Sequence, residues 1–252
     1  LPVFAILLFC FGNSHKDEPA YLGPADMVYS SRHGKIYIAE YHGKRIDVFD
    51  PRKNALISNL PLKDHPNRVY ITRDQKLLLV SQGMENGRLL AYDLEKGRKK
   101  KEVTVGHSPT AITESREHII LCQRFPGEIS FLDKDKFRLE KNVKVGREPM
   151  ALQWVPEHNR LFVAHHLPEM AATEDHVAAK ISVIDLATLT VTDTVLLPNG
   201  SSSVKDICLD PDGRFLLVTH ILARYLLPPT QLERGWMNTN ALSIIDMENV
   251  NH

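Results

Sequence analysis

Five short apolar runs recur along the chain at a nearly fixed interval: Lys35-Ile-Tyr-Ile-Ala39, Lys76-Leu-Leu-Leu-Val80, His118-Ile-Ile-Leu-Cys122, Arg160-Leu-Phe-Val-Ala164 and Arg214-Phe-Leu-Leu-Val218. Their starts lie 41, 42, 42 and 54 residues apart. A fixed period of this length is the mark of a repeat architecture. Each run follows a turn, of which Asp210-Pro211-Asp212-Gly213 has the best turn chemistry. A second apolar strand follows each run and ends in Asp, at Asp50, Asp93, Asp133, Asp185 and Asp246. A third strand closes the unit, as in Lys101–Val105 and Lys141–Val145, and a fourth opens the next, as in Thr110–Thr113 and Met150–Gln153. No helical period intervenes. Four strands in each repeat predict an all-β chain, a β-propeller of four-stranded antiparallel blades.

Five blades can be counted, and the last stops after its third strand. Two explanations stand: the natural chain continues, or residues near Tyr21-Leu22 supply the outer strand of the last blade. The first is the expectation here, with the five blades as a piece of a larger, seven-bladed propeller. The five strand-ending aspartates form a tempting ligand set. An Asx turn leading out of each strand is the simpler expectation, because an Asp side chain readily accepts from backbone N–H groups two residues on.

Charge narrows the function. Lys plus Arg and Asp plus Glu number 31 each, so the formal net charge is zero. Nucleic-acid binders carry a basic excess that neutralises phosphates, and no nucleic-acid partner is expected. The run Arg98-Lys99-Lys100-Lys101 follows Lys96-Gly97 and reads as a solvated turn. Three cysteines give no disulfide framework, and Cys122 and Cys208 read as small buried residues. There is no CxxCH, so the chain holds no c-type haem of its own.

Residues 1–20 differ from the rest. Leu1–Phe11 is almost wholly apolar and is followed by a polar tether, Gly12 to Glu18. The stretch is too short for a bilayer span and matches the core of a secretory signal. Cys10 after Leu7-Leu8-Phe9 resembles a lipoprotein box, with Phe9 where a small residue belongs. Export to the periplasm or cell surface is expected, with Cys10 as a candidate lipid anchor. The propeller domain then occupies 21–252.

The repeat resembles the YVTN β-propeller family. The resemblance is carried by Asp210-Pro-Asp-Gly-Arg-Phe-Leu-Leu-Val218, by Ile181-Ser-Val-Ile-Asp185, and by Val103-Thr-Val-Gly106-His-Ser-Pro109 and Val143-Lys-Val-Gly146-Arg-Glu-Pro149. It runs from about Pro24 to the end. The segment around Thr219-His220 and Ala241–Asp246 also resembles a bacterial group of these propellers whose members often continue into a c-type cytochrome domain. That resemblance implies a periplasmic electron-transfer protein, with haem c confined to a C-terminal part outside this chain.

Aligning the five apolar runs puts Glu40, Gln82, Gln123, His165 and His220 in one column at the ends of their strands. Loops entering the next strand add His65, Arg68, His107, Arg147 and Lys205 on the same face. Two long insertions, about 166–179 and 221–240, leave from this face, and the second brings Arg224, Arg234 and Trp236. Polar groups converging on a rigid rim are the default binding-site expectation. The alternative is a ring of hydrogen bonds tying neighbouring blades together. His165, His166, Asp175, His176 and His220 also admit a metal cluster, although no HxH or HExxH occurs. A serine hydrolase triad has no support, since GxSxG is absent. The favoured function is a non-enzymatic binding or scaffold propeller, taking a small polar ligand or a redox or protein partner. The alternative is an enzyme, a lactonase-like hydrolase or a dehydrogenase subunit.

Overall fold

The computed structural model describes residues 21–223, 230, 235 and 237–248. The chain is a β-propeller built of consecutive antiparallel sheets. The first blade is β1 (Pro24–Ser30), β2 (Lys35–Glu40), β3 (Arg45–Asp50) and β4 (Ala55–Pro61). The second is β5 (Pro66–Ile71), β6 (Leu77–Gln82), β7 (Gly87–Asp93) and β8 (Arg98–Gly106). The third is β9 (Pro109–Glu114), β10 (His118–Gln123), β11 (Glu128–Asp133) and β12 (Leu139–Lys144). The fourth is β13 (Pro149–Val155), β14 (Arg160–His165), β15 (Lys180–Asp185) and β16 (Thr190–Leu196). The fifth sheet holds β17 (Ser201–Leu209), β18 (Phe215–Ala223) and β19 (Asn238–Asp246), with no fourth strand among the described residues. Tyr21–Gly23 do not supply one: the carbonyls of Leu22 and Gly23 accept from His42 and Tyr41 of the first blade.

Burial follows position in the blade. The first strands pack side by side around the axis. In the second, third and fourth blades the middle strands lie between neighbouring blades and are buried on both faces, β10 at every residue. That is why they read as continuous apolar runs rather than alternating ones. The outer strands face water, and β4 and β16 are almost wholly exposed.

The core is divided among the seams between blades. Ala39, Ile46, Leu78 and Val80 fill the first seam, and Leu79, Leu89, Ile119 and Leu121 the second. Ile120, Phe131, Leu161 and Val163 fill the third, and Phe162, Ile181, Leu216 and Val218 the fourth. Each fully buried Val, Leu, Ile or Phe side chain here is worth about 1.5–3 kcal/mol against exposure.

The strand-ending aspartates make the expected turns. Asp50 accepts from the N–H groups of Arg52 and Lys53, and Asp93 from those of Glu95 and Lys96. Asp133 holds Asp135 and Lys136, Asp185 holds Ala187 and Thr188, and Asp246 holds Glu248.

One burial expectation fails. Cys122 is buried, but Cys208 is exposed. Its neighbours Ile207 and Leu209 turn into the fourth seam, so Cys208 points to the far face of the fifth sheet, which no described element covers.

Candidate functional site

The site is set by how each inner strand begins. In four blades a proline opens that strand and pairs with the last residue of the second strand: Pro24 with Glu40, Pro66 with Gln82, Pro109 with Gln123 and Pro149 with His165. A bulge follows at each of these places. The loop that delivers the proline needs left-handed backbone: Gly106 and Gly146 have φ of 133° and 112°. The four polar residues therefore share one end of the fold, as the alignment predicts.

His220 departs from this. Strand β18 runs on through Ala223 and pairs with β19 as far as Asn238. His220 thus lies within a strand, beside the bulge between Ser202 and Asp206. The apolar residues Ile221 and Leu222 extend the hairpin into what the sequence marks as insertion. Arg224, Arg234 and Trp236, the candidates on that insertion, lie outside the described residues.

All five residues of the column are buried, and Gln123 and His165 reach back to the preceding blade or its connecting loop. His165 Nδ1 lies 2.8 Å from the carbonyl of Arg147, and Nε2 lies 2.9 Å from the Ser182 hydroxyl. A carbonyl only accepts, so Nδ1 carries the proton and Nε2 accepts from Ser182. Burial drives the His165 pKa down to about 4, which keeps the ring neutral at pH 7. His220 repeats the arrangement, with Nε2 2.8 Å from Ser243 Oγ and Nδ1 3.2 Å from the carbonyl of Ile221. Gln123 Nε2 donates to the carbonyl of Val105 and to Ser130 Oγ, each at 3.2 Å. Val105 belongs to the outer strand of the preceding blade, so this bond joins two blades.

Three members of the column keep an unsatisfied oxygen. Glu40 Oε2, Gln82 Oε1 and Gln123 Oε1 are buried without a hydrogen-bond partner among the described residues. Burial, and then the charge of Asp47, raises the Glu40 pKa, while Arg45 opposes this.

The loop residues spread over different places. His65 stacks on Tyr41, with ring centroids 4.5 Å apart, and its Nδ1 lies 2.8 Å from the Tyr41 carbonyl. His107 meets Phe125 edge-on at 5.2 Å. Arg147 is exposed and reaches the carbonyl of Pro168. Arg68 instead turns to the axis, where it pairs with Asp26 at 3.5 Å and donates to the carbonyl of Thr110.

Among the described residues, no three His, Cys, Asp or Glu side chains are grouped as metal ligands. His166 and His176 face separate carbonyls, of Val204 and Leu197.

Above the column sits a layer that the alignment does not single out. Two residues past the first four column members stand His42, Met84, Phe125 and Leu167. His42, Met84 and Phe125 are exposed, Arg124 covers the Phe125 ring at 5.3 Å, and Tyr41 and His42 meet edge-on. The signal was available as a regular offset of +2 from the column.

No family model matches the sequence, and no curated protein matches it. Among solved structures, a hydrazine synthase from Kuenenia stuttgartiensis superposes with a TM-score of 0.80 at 19% identity. The match covers 93% of this chain and 66% of that one, so this chain spans just under two thirds of its neighbour. At that identity the likeness shows the β-propeller fold.

Proposed function

We propose that the chain is an exported propeller of the YVTN kind that binds a partner on the loop face, as a scaffold or binding module rather than an enzyme. The observation that carries this reading is the division of labour on that face. The imidazoles of His165 and His220 and the amide of Gln123 are engaged inside the fold, which makes the column a rigid floor. The exposed layer above it is apolar and aromatic, from His42 through Met84 to Phe125, with Arg124 beside it. Aromatic, Met and Arg side chains are enriched in protein interfaces. A protein partner therefore suits the face better than a buried small ligand. A redox protein is one such partner, in keeping with the cytochrome-linked propellers that the sequence resembles. The apolar Leu1–Phe11 supports export, with Cys10 as the candidate anchor.

The experiment is site-directed photo-crosslinking in the source organism. A photoreactive residue at position 125 should give a defined adduct in the envelope fraction, and one at position 117 on the opposite face should not. Equal labelling from both positions, or full-length protein soluble in the cytoplasm, would reject the proposal.

A further inference from the structure

One position in each outer turn is left-handed, and its side chain differs from blade to blade. Four residues after the turn aspartate stand Asn54, Gly97, Phe137 and Leu189, with φ of 48°, 59°, 58° and 52°. The backbone is the same and only the side chain changes. Phe137 is buried in the second seam with Leu79 and Ile119. Leu189 packs against the third seam. Gly97 puts nothing into the first seam, and a Cβ added there meets no atom within 4 Å. Beside it lies a groove of about 410 Å³, walled by Tyr37, Val48, Ile57, Leu60, Tyr92 and Leu94. The corresponding space beside Phe137 is about 260 Å³.

The strand bordering this groove also differs from its counterparts. In register with the third strand, Lys101 stands opposite Ala91, Lys141 opposite Phe131 and Asp193 opposite Val183. Charges on an outer edge discourage another strand from pairing there. Lys141 also crosses its seam to donate to the carbonyl of Thr188 at 3.3 Å. In β4 the equivalent residue is Ser58, opposite Val48. No residue of Ala55–Pro61 is charged, and Leu56 and Ile57 are exposed. Exposed cations flank the strand, Arg52 and Lys53 before it and Lys63 after it.

We propose that β4 and the groove form a docking site for an extended peptide segment of a partner protein. The segment pairs with the free edge of β4, the mode known as strand addition. It places an aromatic or leucyl side chain in the groove, where Phe137 and Leu189 serve the other seams. Acidic residues at its ends face Arg52, Lys53 and Lys63. The site is separate from the loop face and stands whether or not that face binds anything.

The test uses a fluorescein-labelled peptide, Asp-Thr-Val-Phe-Val-Thr-Asp, and fluorescence anisotropy. Saturable binding is expected, weakened about tenfold or more by Gly97→Phe, by Ser58→Lys, and by alanine in place of the peptide's phenylalanine. Gly97→Phe should fold, because Phe137 already holds this backbone, and circular dichroism checks it. Equal affinity in the wild type and both variants would overturn the proposal, as would no saturation up to about 1 mM. A dimer in sedimentation that Ser58→Lys dissolves would also overturn it, because the occupant would then be a second copy of this chain.

Discussion

The Nε2 atom of His165 lies 2.9 Å from the hydroxyl of Ser182, inside a seam from which water is excluded. Two strands of one blade are joined by this bond, and the other ring nitrogen holds the loop that arrives from the preceding blade. The imidazole acts here as a neutral clamp, and the loss of either partner has a defined cost.

Ser182→Ala should leave Nε2 buried with no donor. An unsatisfied buried polar atom costs about 1–3 kcal/mol. Urea denaturation should show that loss, with an unchanged slope. His165→Gln should be milder, because Gln123 already does the same work in the third blade. His165→Ala together with His220→Ala should lower stability further. Partner capture through position 125 should persist where the protein remains folded. If capture is lost while stability holds, the histidines touch the partner directly.

Acid should release the same clamp. The folded pKa of His165 is about 4, below an unfolded value of about 6.5. Between these values the unfolded chain binds the proton and the folded chain does not, so stability falls as pH falls. The contribution is whole above about pH 6.5, drops by roughly 2 kcal/mol by pH 5, and is exhausted near pH 4. The pH dependence of unfolding free energy should lose this slope in His165→Gln. Retention of the full slope there would show that another group titrates.

The outer turns should respond as capped turns do. Asp185 accepts from the N–H groups of Ala187 and Thr188 and from the Thr188 hydroxyl. These bonds to the charged form hold its pKa below the usual carboxylate value, with the Thr188 N–H as the largest cause. Asp185→Ala should cost about 1 kcal/mol and lower Tm by a few degrees. Asp185→Asn should recover most of that loss.

Much of this architecture is legible in the chain because each signal is local. The apolar runs become the buried middle strands, and the aspartates that end the third strands close the turns. Glu40, Gln82, Gln123 and His165 fall on one end because strand length is fixed across their four blades, whereas His220 sits inside the longer β18. What escapes notice depends on neighbours. Cys208 looks like Cys122 in its own strand, and only the uncovered face of the fifth sheet separates them. The extension of β18 past His220 comes from pairing with β19, whose start at Asn238 lies at the far end of the insertion. Gly97 reads as an ordinary turn glycine until Phe137 and Leu189 are seen to plug the same place in other seams.

The two end sheets give the last prediction. On β1, Val28 turns into the first seam, whereas Met27 and Tyr29 point away and are 69% and 56% exposed. On β19, Ile245 turns into the fourth seam, whereas Leu242 and Ile244 point away and are 56% and 61% exposed. Every seam between described blades is closed by side chains of this kind, so each end face has the composition of half a seam. Exposed apolar faces of this sort mark contact surfaces. We propose that further blades cover both, as in a larger propeller. Residues 21–252 alone should then bind a hydrophobic dye and associate in sedimentation. Tyr29→Lys with Ile244→Lys should reduce both effects in this piece. In a chain carrying the further blades, the same substitutions should instead lower stability by several kcal/mol, because each buries a charge without a partner. A monomeric piece with a sharp, reversible unfolding transition and no dye binding would show that five blades suffice.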